Sequence, residues 1–119
     1  MSKFWCLAAA LSLFPATGHG AEITVRLPQA SSVERNAVTY ACPDRAPMKV
    51  EYINAGANAL AVVPVEGEAL VFAGVLSGSG ARYAAGPYIW WIKGANADLY
   101  DLRQGDRASP VSCREVVDN

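Results

Sequence analysis

Turn signals recur about every ten residues along this chain, with short apolar or β-branched runs between them. Lys49-Val50-Glu51-Tyr52-Ile53 alternates and puts Val50 and Tyr52 on one face. Asn54-Ala55-Gly56-Ala57-Asn58 then reverses the chain, Ala59 to Val65 returns, and Glu66-Gly67-Glu68 turns it again before Ala69 to Phe72. Ile23–Leu27, Ala37–Cys42, Ala81–Tyr83, Tyr88–Lys93, Ala97–Arg103 and Val111–Val116 read as further strands, and Gln29–Asn36 as a polar connector. Pro64, inside one run, lacks a backbone donor and argues for an edge or a bulge. Helical periodicity is scarce. Roughly eight short strands in so short a chain predict an all-β fold, a small antiparallel barrel or sandwich; spacing alone does not choose between the two.

The first twenty residues stand apart. A short basic start, an apolar run from Phe4 to Phe14, then Pro15, Gly18 and Gly20 form the pattern of a secretory signal peptide. The reading is therefore a leader over 1–20 and one domain over 21–119. Without Lys3 the domain carries nine Lys and Arg against eleven Asp and Glu. That balance gives no reason to expect nucleic acid as a partner. Export also makes two cysteines informative. Cys42 and Cys113 are those left beyond the leader, and in an oxidising compartment they are expected to pair. Such a bridge closes a loop of about 70 residues, worth roughly 4 kcal/mol of chain entropy. The one histidine, His19, lies in or beside the leader, so no Ser-His or Cys-His catalysis and no histidine metal site is expected. No phosphate loop, dinucleotide fingerprint or metal-ligand cluster occurs, and no cofactor is expected.

The stretch Ser77-Gly78-Ser79-Gly80-Ala81-Arg82-Tyr83, followed by Tyr88-Ile89-Trp90-Trp91-Ile92-Lys93-Gly94, sets a glycine-flanked hydroxyl ahead of an aromatic strand that ends in a lysine. Such a turn suits a plug for another protein's polar cleft. The chain resembles the MliC/PliC family, the membrane-bound and periplasmic inhibitors of c-type lysozyme. Ser79, Gly80 and Tyr83 match its Ser-Gly-x-x-Tyr motif; Tyr88, Trp91, Lys93 and Gly94 match its second. Tyr40, Cys42, Val50, Tyr52 and Asn54 precede these at the family order, and Ala97, Leu99 and Cys113 follow. The resemblance implies an eight-stranded antiparallel barrel, no enzymatic activity, and c-type lysozyme as the protein partner. Members held in the membrane carry a lipidated cysteine near the end of the apolar run. Cys6 stands at its beginning, so the mature protein is expected to be periplasmic and without a membrane anchor.

By the same resemblance the lysozyme-binding residues are Ser79, Gly80, Arg82, Tyr83 and Lys93. Ser79 would enter a cleft whose two carboxyl groups, about 5 Å apart, are one protonated and one ionised. A hydroxyl can donate to the second and accept from the first. Lys93 would pair with the acidic groups, and Gly80 would let the backbone approach closely. Tyr83 is expected to pack beneath the loop and Arg82 to face outward. Without the resemblance, Ser79 is simply good turn chemistry and Lys93 a solvated charge at a strand end. Trp90 and Trp91 must face opposite sides of their strand. Trp91, the family residue, is assigned to the core, and Trp90 is left between partner contact and packing. The rival reading is a lipocalin-like ligand binder with Trp90, Tyr88 and Phe72 lining a cup. A barrel this small ordinarily fills with side chains, which counts against it.

Overall fold

The alternating runs form strands because each finds the next one across a short turn. A computed structural model describes residues 20–30 and 32–117. Its strands are β1 (Glu34–Ala41), β2 (Met48–Ala55), β3 (Asn58–Val65), β4 (Glu68–Val75), β5 (Ala81–Ala85), β6 (Tyr88–Lys93), β7 (Asn96–Asp101) and β8 (Val111–Glu115). Each pairs antiparallel with its sequence neighbour, and β1 pairs with β8, which closes a barrel. The choice that spacing left open therefore falls to the barrel. One 3-10 turn, Leu102–Gln104, follows β7 where the sequence reading continued the strand to Arg103.

Period two divides the barrel into an inside and an outside. Val50, Tyr52, Val63, Phe72, Tyr83, Trp90 and Leu99 are buried together. Trp90, Phe72, Val50 and Val63 are sealed completely, so the interior is packed, and Trp90 and Phe72, two of the residues the rival reading set around a cup, fill it. Trp90 and Tyr52 carry polar atoms that find partners inside. The Trp90 indole N–H donates to the Tyr52 hydroxyl at 2.9 Å, and that hydroxyl lies 2.7 Å from the Tyr40 hydroxyl. Tyr40 also meets the Trp90 ring edge-on, with centroids 5.2 Å apart. Burial raises the phenol pKa of Tyr52, Tyr40 and Tyr83 above its ordinary value.

The β1–β8 seam is short, joining Tyr40 to Glu115 and Ala41 to Arg114. Beside it lies the Cys42–Cys113 disulfide, with Cα atoms 4.3 Å apart, as the sequence anticipated. Pro64 pairs with Ala69 on β4, while the pairing of β3 with β2 stops at Val62. The edge expected from a proline is thus a local one within a closed sheet.

One strand expectation fails. Ile23–Leu27 alternates as a strand would, yet it forms none; Ile23 is 80% and Val25 71% exposed. Alternation alone does not specify a strand: the seam uses only Tyr40 and Ala41 of β1, and Ile23–Leu27 does not pair with the stretch of β1 left over. The expected connector also ends early, because β1 starts at Glu34. Residues 1–19 of the expected leader, Cys6 among them, lie outside the described residues.

Candidate functional site

The loop between β4 and β5 lies against the end of β6; two contacts hold it there and a third braces it internally. Gly80 has φ +63° and approaches the β6 backbone so closely that a Cβ on it would lie 2.1 Å from the Ile92 carbonyl oxygen. The Trp91 indole N–H donates to the Ser79 carbonyl oxygen at 2.9 Å. The Ser77 hydroxyl donates to the same oxygen. The loop is therefore pinned by its backbone, while the Ser79 side chain is left out of these contacts on an exposed residue.

Lys93 ends β6 and is exposed. Its ammonium is not loose: Nζ lies 4.1 Å from the centroid of the Trp91 ring. Arg82, opposite Trp91 in the β5–β6 register, brings its guanidinium to 5.6 Å from the same ring. A cation over an indole face is held by the ring quadrupole. The outer surface of β5 and β6 thus carries one aromatic plate with two cations on it, next to the exposed loop.

Ser79, Gly80, Arg82 and Lys93 come together at one end of the barrel. Tyr83 does not share their surface. It is 8% exposed, faces inward, and packs on Tyr52 with centroids 5.8 Å apart. It supports β5 from inside the barrel.

The assignment of Trp91 to the core is reversed. Trp90 is fully buried and Trp91 is half-buried on the outer face. The register decides this. Gly86 and Pro87 make a two-residue turn, so Ala85 pairs with Tyr88, Tyr83 with Trp90 and Arg82 with Trp91. Paired residues share a face. An inward Tyr83 and an outward Arg82 therefore send Trp90 in and Trp91 out, a signal present in the hairpin spacing. Leu76, at the start of the loop, is 94% exposed.

A disulfide-closed barrel that holds a hydroxyl loop and a cation on one rigid rim belongs to the class of small binding barrels. Within that class the comparisons are specific. The family described as membrane-bound lysozyme-inhibitor of c-type lysozyme matches residues 40–108. A Pseudomonas aeruginosa protein named membrane-bound lysozyme inhibitor of C-type lysozyme is 46% identical over 91 residues, covering 75% of this chain and 72% of its own. A Cupriavidus necator protein of the same name is 40% identical over 75 residues, covering 63% of this chain and 60% of its own. Among solved structures, Pseudomonas aeruginosa MliC in complex with hen egg white lysozyme matches with a TM-score of 0.69 and 41% identity, over 82% of this chain and 98% of that one. The chain belongs to the MliC family of lysozyme inhibitors.

Proposed function

We propose that this protein inhibits c-type lysozyme by placing the Ser77–Gly80 loop and Lys93 in the enzyme's catalytic cleft, and that it works in the periplasm to protect the bacterial cell wall. The observation that carries the reading is the convergence of the two motifs. Gly80 and Trp91 bring Ser79 and Lys93, distant in sequence, onto one exposed rim. The solved complex of the Pseudomonas aeruginosa relative with hen egg white lysozyme supports that partner class. A retaining muramidase cleft holds a protonated and an ionised carboxyl group. The Ser79 hydroxyl is suited to both, and the Lys93 ammonium to the ionised one. The protein acts by occupancy and performs no reaction. Ser79 has no hydrogen-bonded base to activate it, and its neighbours fix the backbone rather than the hydroxyl.

The test is lysis of cell walls by hen egg white lysozyme, followed by turbidity with the parent, Ser79→Ala, Lys93→Ala and the double variant. Each single change should weaken inhibition by roughly 1–3 kcal/mol, about five- to 150-fold. Because both groups serve one cleft, the two losses should not add. Inhibition should compete with chitooligosaccharide. Single variants that inhibit like the parent, or an inhibited complex that still binds the sugar in full, would sink the cleft reading.

A further inference from the structure

Trp91 touches both groups on which the proposed function rests, and it does so with different parts of one ring. Its N–H reaches the Ser79 carbonyl oxygen at 2.9 Å. Its π face lies under Lys93 Nζ at 4.1 Å. The ring is itself held by position: Trp91 sits in register between Arg82 on β5 and Asp98 on β7. A half-buried indole on a paired strand is a fixed object, whereas a glycine-rich loop and a lysine side chain are among the most mobile parts of a protein. Left alone, the loop would sample many backbone states and the lysine many rotamers. Ordering them on binding would then oppose association.

We propose that Trp91 is a positioning residue that fixes the Ser77–Gly80 loop and the Lys93 ammonium in one arrangement before any partner arrives. The hydrogen bond sets the loop's height above β6 through the Ser79 carbonyl. The ring face sets where the charge stands. Since the same rigid ring does both, the spacing between hydroxyl and cation becomes a property of the free protein. The lysozyme consequence of this device rests on the cleft reading above; the device itself does not.

Two variants separate the ring's two contacts. Trp91→Phe keeps an aromatic face and loses the N–H. Trp91→Leu loses both. In NMR spectra of the free protein, Trp91→Phe should lower the backbone order parameters of Gly78 to Gly80 below those of the β5–β6 amides. It should leave the Lys93 side-chain protons shifted upfield by the ring. Trp91→Leu should abolish that ring-current shift as well. Against hen egg white lysozyme, Trp91→Phe should inhibit about fivefold less well, the loss of one neutral hydrogen bond. In a Trp91→Leu background, Lys93→Ala should lose less inhibition than it does in the parent.

Loop order parameters and Lys93 shifts that are the same in all three proteins would overturn the proposal. So would loosening that spreads equally to the amides of Tyr52 and Trp90, because Trp91 would then serve the whole barrel. If loop and lysine loosen as expected while all variants inhibit lysozyme alike, the positioning role stands and the lysozyme reading falls.

Discussion

Replacing Gly80 with alanine tests the site's geometry most directly, because the structure gives two separate penalties at that residue. The first is conformational. With φ at +63°, a residue bearing a Cβ is disfavoured by about 1–2 kcal/mol. The second is steric. The new Cβ would stand 2.1 Å from the Ile92 carbonyl oxygen and 3.0 Å from Lys93 Cγ. An ordinary carbon-to-oxygen approach is about 3.3 Å or more. The loop must therefore lift from β6 by roughly 1 Å, or the strand must yield, and such overpacking typically costs about 1–3 kcal/mol. Together the loss is about 2–5 kcal/mol, a fall in Tm on the order of 10 °C or more for a domain of this size. Inhibition should suffer further than stability alone explains. Lifting the loop stretches the Trp91–Ser79 hydrogen bond and moves Ser79 away from Lys93. With both groups misplaced by about 1 Å, inhibition of the folded variant should weaken roughly 10- to 100-fold.

Two other glycines make the controls. Gly86 also has positive φ, but a Cβ there meets nothing within 4 Å, so Gly86→Ala isolates the conformational penalty at the opposite end of β5. Gly78 has neither feature, and Gly78→Ala should leave the melt within about 0.5 kcal/mol of the parent. The readouts are thermal melts by circular dichroism and lysozyme turbidity at a temperature where every variant is folded. A Gly80→Ala protein that melts no lower than Gly86→Ala would show that the close approach to Ile92 is not a constraint. One that is destabilised as expected yet inhibits fully would show that loop position does not govern inhibition.

Further outcomes follow from the core and the seam. Cys113→Ser should lower stability by about 2–5 kcal/mol while leaving the loop against β6, measured by denaturant midpoint and by residual inhibition of the folded fraction; an unchanged midpoint would remove the disulfide from the account. Protein from osmotic-shock fluid should have an N-terminus near Ala21, no acyl group and oxidised Cys42 and Cys113 by mass spectrometry. An acylated membrane-fraction form or free thiols would contradict the periplasmic reading. Tyr40, Tyr52 and Tyr83 all have raised pKa values through burial, so their contribution is fully present below the unfolded phenol value of about 10 and is lost as pH rises beyond it. Stability should hold up to about pH 10, and these three phenols should ionise together with loss of near-UV circular dichroism. Ionisation of Tyr40, Tyr52 and Tyr83 near pH 10 in an intact barrel would refute this.

Most of the barrel was legible because its pairings are local. Each turn signal joined two runs that became adjacent strands, and an up-and-down order needs no further information. Ile23–Leu27 misled because alternation specifies a face and not a partner: it is as regular as β2, yet it pairs with no described strand. Within the site, Ser79, Gly80 and Lys93 were legible from motif order, and their meeting required only that β5 and β6 form a hairpin. The Trp90 and Trp91 faces were not assigned correctly, because period two fixes their opposition and not its sign. The sign comes from the two-residue turn at Gly86-Pro87, which ties Trp90 to Tyr83 and Trp91 to Arg82. The approach of Gly80 to Ile92 has no sequence signature beyond a glycine, since it depends on how far the loop folds over the strand.

Among the described strands, every pairing joins neighbours in the chain except β1 with β8. The meander can therefore assemble as a series of hairpins, each closing a short loop, while the last join must bring together segments from its two extremes. Cys42 and Cys113 flank that join, separated by 71 residues. Their thiols stay far apart until the sheet has curled through nearly a full circle. The crosslink is then a seal applied to a finished wrap rather than a guide to it. Once a leader that holds Cys6 is removed, as proposed, these two are the cysteines that remain, and oxidation that comes too early has no wrong partner within the same chain. Its wrong partner is then another copy, so crowding where the disulfide forms, more than faulty pairing, sets the hazard in making this protein.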